Sequence, residues 1–244
     1  MKKLRDLAIG FLAVNLLWQI CAMLLGLRVL PSPLTVYANF GRVIEGQVWL
    51  HILASLGRIT AGLVLSMLLG IPLGILMGRS KRWNSILNPL LYFLYPVPKT
   101  ALLPTLMLLF GLGNVSKVLL MVLTILFPTI VAVRDASGNI LPEVYRVAKS
   151  AALKKGYVLR HVTLPAILPA LFTSMRISMG TALAILFIAE AYGTRVGIGY
   201  YILDAWSRID YIEMYGGIIL ISLTGAALFW VMDVVAKRVC HRTN

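Results

Sequence analysis

Six apolar runs organise this chain, at 7–27, 54–78, 88–110, 115–133, 166–191 and 214–236. A hydrocarbon core roughly 30 Å thick takes about 20 residues of helix to cross. Inside it the chain must satisfy every backbone N–H and C=O itself, so a span is a helix or part of a closed barrel. Runs of this length predict helices. Of 244 residues, 59% are hydrophobic and only 13% charged, with a mean hydropathy of +0.87, which leaves no soluble domain. The expected fold is all-α: a polytopic membrane protein of about six transmembrane helices, with 1–244 forming one transmembrane domain.

The basic residues sort by loop. Lys2, Lys3 and Arg5; Arg79, Lys81 and Arg82; the six from Arg134 to Arg160; and Lys237, Arg238 and Arg242 share one side if the spans alternate. The opposite loops, 28–50 and 193–213, hold Arg28, Arg42, Arg195 and Arg208 against four acids. Cytoplasmic loops carry the excess of Lys and Arg, so both termini and 134–165 are expected in the cytoplasm. The same bias explains the net charge of +14 without a nucleic-acid partner. The first run lacks a small-x-small cleavage site and reads as a retained span. Cys21 lies within it and Cys240 in the tail, which implies no disulfide framework. His51, His161 and His241 are isolated, so no metal site is expected.

Residues 134–165, RDASGNILPEVYRVAKSAALKKGYVLRHVTLP, are the one long polar passage. Within it Val144, Val147, Ala148, Ala151 and Ala152 recur at three- and four-residue spacing, the mark of a helix face. Pro142 suits a first helical turn. Gly156 can end that helix or turn it into a second short one, and Pro165 closes the segment. Two short helices on the membrane surface are predicted, presenting an apolar face that the chain itself does not bury. Such a face asks for a protein partner.

In the second run Gly62, Ser66, Gly70, Gly74 and Gly78 repeat every fourth residue. Small residues at that spacing let helix backbones approach closely, here as packing inside one subunit, and Pro72 implies a kink. The stretch WLHILASLGRI before it reads as an interfacial helix. The third run holds Pro89, Pro96, Pro98 and Pro104, with Lys99 beside the break. A cation at membrane depth is a functional candidate by default: Lys99 either meets an anionic solute or snorkels and pairs internally. Arg176 and Glu190 in the fifth run are fourteen residues apart, roughly 21 Å along a helix, so they cannot pair within it. Each serves as an interior gate or as an ion pair to another helix. The tyrosine-rich loop 193–213 reads either as a surface for an external binding protein or as an interfacial aromatic belt.

These residues carry a family resemblance. Segment 134–165 resembles the cytoplasmic coupling loop, the EAA loop, of bacterial ABC-importer permeases, in the branch handling nitrate, sulfonates and taurine. The family pattern is Glu-Ala-Ala, three residues, Gly, then Leu-Pro and a further Pro. Counting back from Leu164-Pro165 and Pro169, Ala148 takes the second Ala, while Arg146 stands at the Glu position and Ala152 at the Gly position. Glu143 lies one turn earlier. SLGRITAGLVLSMLLGIPLGILMG, the proline-broken third run ending in Phe110-Gly111, and the fifth run with its Ala189-Glu190 are similar to the same family. The resemblance implies an ATPase-coupling loop built from Glu143, Val144, Arg146, Val147, Ala148, Ala151, Ala152, Leu153, Gly156, Leu164 and Pro165. Lys99, Arg176 and Glu190 become translocation-pathway candidates.

The chain shows no Gly-rich phosphate loop, no HExxH and no nucleophile elbow, so it is expected not to be an enzyme. The resemblance implies the permease subunit of an ATP-driven importer for a small anionic solute, in a bacterial or archaeal plasma membrane. Its partners would be two copies of a cytoplasmic ATP-binding subunit holding ATP and Mg, a second permease chain, an extracytoplasmic substrate-binding protein and membrane lipid. No cofactor is expected on this chain. The alternative is a self-contained channel or secondary carrier, which would call for more mid-membrane ionisable groups or inverted repeats. A purely structural scaffold would not need the apolar face at 144–152.

Overall fold

A computed structural model describes residues 2–240; His241 and Arg242 of the tail lie outside the described residues. Among these, every regular element is helical. The order is α1 (Lys2–Leu25), α2 (Pro33–Ala38), α3 (Phe40–Glu45), α4 (Val48–Arg79) and α5 (Lys81–Leu94). A 3-10 turn (Lys99–Leu102) leads into α6 (Leu103–Phe110), followed by α7 (Asn114–Gly138), α8 (Pro142–Ser150) and α9 (Lys155–Val158). A π turn (Leu159–Thr163) then runs into α10 (Leu164–Ala191), and α11 (Ile198–Ser207) and α12 (Tyr211–Cys240) complete the chain. Among the described residues, α4, α7, the unit Lys155–Ala191 and α12 are long and apolar enough to cross a membrane. α5 and α6 add one more crossing as a bent pair, and α1 contributes the apolar stretch Ile9–Leu25.

One element differs from the pattern expected of the sequence and one follows it. WLHILASLGRI is no separate interfacial helix: α4 is unbroken from Val48 to Arg79, through Pro72. The third run breaks at its prolines as expected, its two halves meeting at 85°. Pro96 and Pro98 carry no N–H to continue the helical ladder, so α5 stops and the chain turns before Lys99.

The centre of the molecule is the contact between α4 and α7. Every fourth residue of α4 meets a successive turn of α7. Ser66 Oγ donates to the Val122 carbonyl at 3.1 Å. A Cβ at Gly70 would stand 2.8 Å from Thr129 Cγ2, and one at Gly74 2.6 Å from Val133 Cβ. Gly78 lies as tightly against Ser137 and the Arg134 carbonyl. The missing side chains bring the backbones close enough for van der Waals contact to hold the pair, which lipid cannot do by hydrophobicity alone.

This register also settles the topology between the two helices. Partner numbers rise together along both, so α4 and α7 run parallel and Asn114 lies at the opposite end from Arg79. The bent pair α5–α6 is therefore a return crossing rather than a re-entrant loop. α10 packs on the other flank of α7, α12 packs on α10, and α11 wedges against α4, α10 and α12. Ile167, Leu171, Met175 and Met179 of α10 form, with Val133 of α7 and Met232 of α12, a continuous apolar core.

Candidate functional site

At one end of the bundle, the Tyr145 side chain ties α8 to the core. The Arg79 guanidinium at the foot of α4 lies over the Tyr145 ring, 3.9 Å from its centroid, a cation–π contact. The Tyr145 hydroxyl meets Thr163 Oγ1 at 3.1 Å, where the π turn enters α10. α8 is thereby fastened to both α4 and α10.

The apolar face of α8 divides. Val147 is 68% exposed, whereas Ala148 is 6% exposed and belongs to the interior. Exposed Leu141, Val144, Leu153 and Tyr157 extend the outer surface, with Ala151 and Ala152 exposed beside them. Glu143 and Arg146 form an exposed ion pair with each other. Gly156 is not the helix terminator: it falls inside α9. α8 ends on Ala152, at φ +53°. The Ala152 N–H donates to the Lys149 carbonyl at 3.0 Å and the Leu153 N–H to the Ala148 carbonyl at 3.1 Å, the paired bonds of a Schellman cap. The position that the family fills with Gly is thus the left-handed residue of that cap. Leu164 and Pro165 begin α10.

Lys99 sits at the helix break. Its Nζ donates to the carbonyls of Leu94 (2.7 Å), Tyr95 (3.1 Å) and Val97 (2.8 Å); Leu94 is the one orphaned directly, because its helical donor would be the nitrogen of Pro98. The ammonium also lies 4.8 Å from the Phe127 ring centroid. Lys99 lines a cavity of about 790 Å³ between the break, α7 and α10. Arg176 is elsewhere, paired to Asp233 of α12 at 3.0 Å beside a smaller cavity of about 340 Å³.

Glu190 belongs to a buried cluster at the far end, and most of its members carry no signal in the apolar runs. Arg58 Nη1 donates to Glu190 Oε1 (2.5 Å) and the Val196 carbonyl (2.8 Å), and Arg58 Nε donates to Asn114 Oδ1 (2.9 Å). Ser55 Oγ lies 2.8 Å from each Glu190 oxygen, and the Gly199 N–H donates to Oε2 at 3.0 Å. Lys117, fully buried nearby, donates to the Leu112 carbonyl at 2.6 Å. The cluster binds α4, the α6–α7 turn, α10 and the start of α11 into one piece. Arg58 and Lys117 were findable: with Lys99 and Arg176 they are the Lys/Arg falling inside apolar runs.

On the surface beyond the cluster, Arg42 reaches Asp210 at 2.6 Å, and Arg208 reaches Glu213 at 2.7 Å and Asp204 at 2.9 Å. The bond to Glu213 holds the Arg208 guanidinium above its ordinary range. Burial, reinforced by Glu213, pushes the neighbouring Tyr201 phenol up to about 12. This rim pairs both signs of charge.

Comparison with known proteins is consistent with this geometry. A family model described as "Binding-protein-dependent transport system inner membrane component" matches residues 70–243. The aliphatic sulfonates transport permease protein SsuC of Bacillus subtilis is 34% identical, over 86% of this chain and 77% of that protein. The taurine transport system permease protein TauC of Escherichia coli is 32% identical, over 89% and 82%. Among solved structures, a chain of the MetNI methionine ABC transporter in an inward-facing conformation superposes with a TM-score of 0.64. It is 17% identical and the match covers 80% of this chain and 97% of that one, a likeness of fold.

Proposed function

We propose, from the premise that this chain belongs to the family of binding-protein-dependent transport system inner membrane components, in its sulfonate and taurine branch, that it is the translocating subunit of an ATP-driven importer for a small anionic solute. An extracytoplasmic binding protein delivers the solute. Two copies of this chain enclose the path, and two cytoplasmic subunits hold ATP and Mg. This chain supplies no nucleotide chemistry of its own. Both termini and α8–α9 face the cytoplasm, on the side of the Lys/Arg excess.

The observation that carries this reading is the attachment of α8. Its outer face, centred on Val147, is free for a partner, while its inner face is fixed through Tyr145 to the foot of α4 and the start of α10. A partner that shifts α8 as it closes on ATP must drag both core helices with it. Motion of one short surface helix thereby becomes a change of access between the two ends of the bundle.

The test is a mild-detergent pull-down of the tagged chain from its native membrane, followed by identification of the proteins recovered. Recovery of an ATP-binding subunit, with an external binding protein in lower yield, is the expected result. Recovery of the chain alone, as a stable assembly that moves solute without ATP, would overturn it in favour of a channel or carrier.

A further inference from the structure

The cavity of about 790 Å³ beside the helix break has an unusual charge content. Among the described residues that line it, Lys99 is the one ionised side chain and no carboxylate is present. Charges taken into low dielectric are ordinarily paired. Lys99 has no carboxylate partner among the described residues: its three N–H bonds go to neutral carbonyls and its ammonium lies 4.8 Å from the Phe127 ring centroid, contacts that leave its formal charge without a counter-ion. The positive field is therefore directed at whatever fills the cavity.

Five Ser and Thr hydroxyls line the wall, at Thr124, Thr173, Ser174, Ser178 and Thr181. Thr124, Thr173 and Ser174 donate to the carbonyls of Leu120 (2.8 Å), Pro169 (2.9 Å) and Pro128 (3.1 Å). Their hydrogens are occupied. Ser178 is different: it lines the same cavity and is 3% exposed, yet its Oγ has no hydrogen-bond partner among the described residues. A buried hydroxyl without a partner is rare and demands one. It has a proton to donate, in a cavity with net positive charge.

We propose that this cavity is an oxoanion site, with Lys99 supplying the charge and Ser178 Oγ the directed hydrogen bond to a sulfonate-type oxygen. This rests on the importer reading and names the chemistry that its path selects. Lys99 acts over a distance, because its donors are fixed on Leu94, Tyr95 and Val97. Ser178 Oγ is the buried donor left without a partner among the described residues, and it orients the anionic head.

The test uses the full chain with Cys21→Ser, Cys240→Ser and Ser178→Cys, reconstituted in phosphatidylcholine vesicles. The single thiol is labelled with 2-sulfonatoethyl or 2-(trimethylammonio)ethyl methanethiosulfonate. Relative to a free thiol, the anionic reagent is expected to gain about tenfold over the cationic one, since one nearby charge acts oppositely on the two. Lys99→Met should abolish that preference and Lys99→Arg should keep it, which separates charge from folding. Ethanesulfonate in solution should protect the thiol.

A ratio equal to that of a free thiol and unmoved by Lys99→Met would overturn the proposal. So would a thiol that reacts with neither reagent until the protein is denatured. Protection by phosphatidylglycerol in the vesicle but not by ethanesulfonate would assign the site to a lipid headgroup and overturn the solute reading. Loss of the ratio with ATP-binding subunits still recovered would sink the site alone. A retained ratio with no such subunits would sink the importer alone.

Discussion

Arg58 and Glu190 meet across 132 positions of sequence: Nη1 lies 2.5 Å from Oε1, with 5% and 1% of the two side chains exposed. The pair joins α4 to the last turn of α10, and the groups around it extend the junction to Asn114, Val196 and Gly199. A buried ion pair is weak evidence of net stability, but removing one partner leaves an uncompensated charge. Its role here is to fasten the end of the bundle opposite α8.

Arg58→Met and Glu190→Leu should each destabilise the protein by roughly 3–5 kcal/mol, because each strands the other charge. The double variant should lose clearly less than the sum of the two. Unfolding midpoints of the four proteins in one detergent complete the cycle. Strict additivity would mean that the two groups do not act as a pair.

Ala152→Gly should strengthen the end of α8. An L-residue in left-handed geometry costs roughly 1–2 kcal/mol that Gly avoids, and Ala152 stands at φ +53°. Slower hydrogen exchange at the Ala152 and Leu153 amides is the expected reading, with faster exchange in Ala152→Val.

Val147→Arg and Ala148→Arg should fail differently. Val147 is outside, so its variant should insert and fold normally yet lose stimulation of the partner ATPase. Ala148 is inside, so its variant should also loosen α8, seen as protease sensitivity between 140 and 165. Wild-type ATPase stimulation in Val147→Arg would remove α8 from the coupling path.

Gly70→Ala and Gly78→Ala should both part α4 from α7, at roughly 1–3 kcal/mol of overpacking. Only the first is expected to be rescued by trimming its neighbour. The Cβ at Gly70 meets the Thr129 side chain, which Thr129→Ser shortens, whereas Gly78 also abuts the Arg134 carbonyl, which no substitution removes. Thermal midpoints of the singles and of Gly70→Ala with Thr129→Ser, and of Gly78→Ala with Ser137→Ala, decide it.

The all-helical membrane class, the apolar runs and the small-residue ridge on α4 can all be read along the chain. These are local properties: run length, charge bias and a four-residue period depend only on neighbours along the chain. The sequence also marked α8 and the break at Pro96 and Pro98, since proline acts on its own backbone. What closes those elements into a machine was decided by tertiary structure. Parallel α4 and α7 make the bent pair a crossing, Tyr145 turns a surface helix into a handle, and Ser178 is left without a partner. Arg58 shows the reason most clearly. In sequence it is one charge in an apolar run, and its meaning depends on Glu190, which only the packing of α10 against α4 brings within reach.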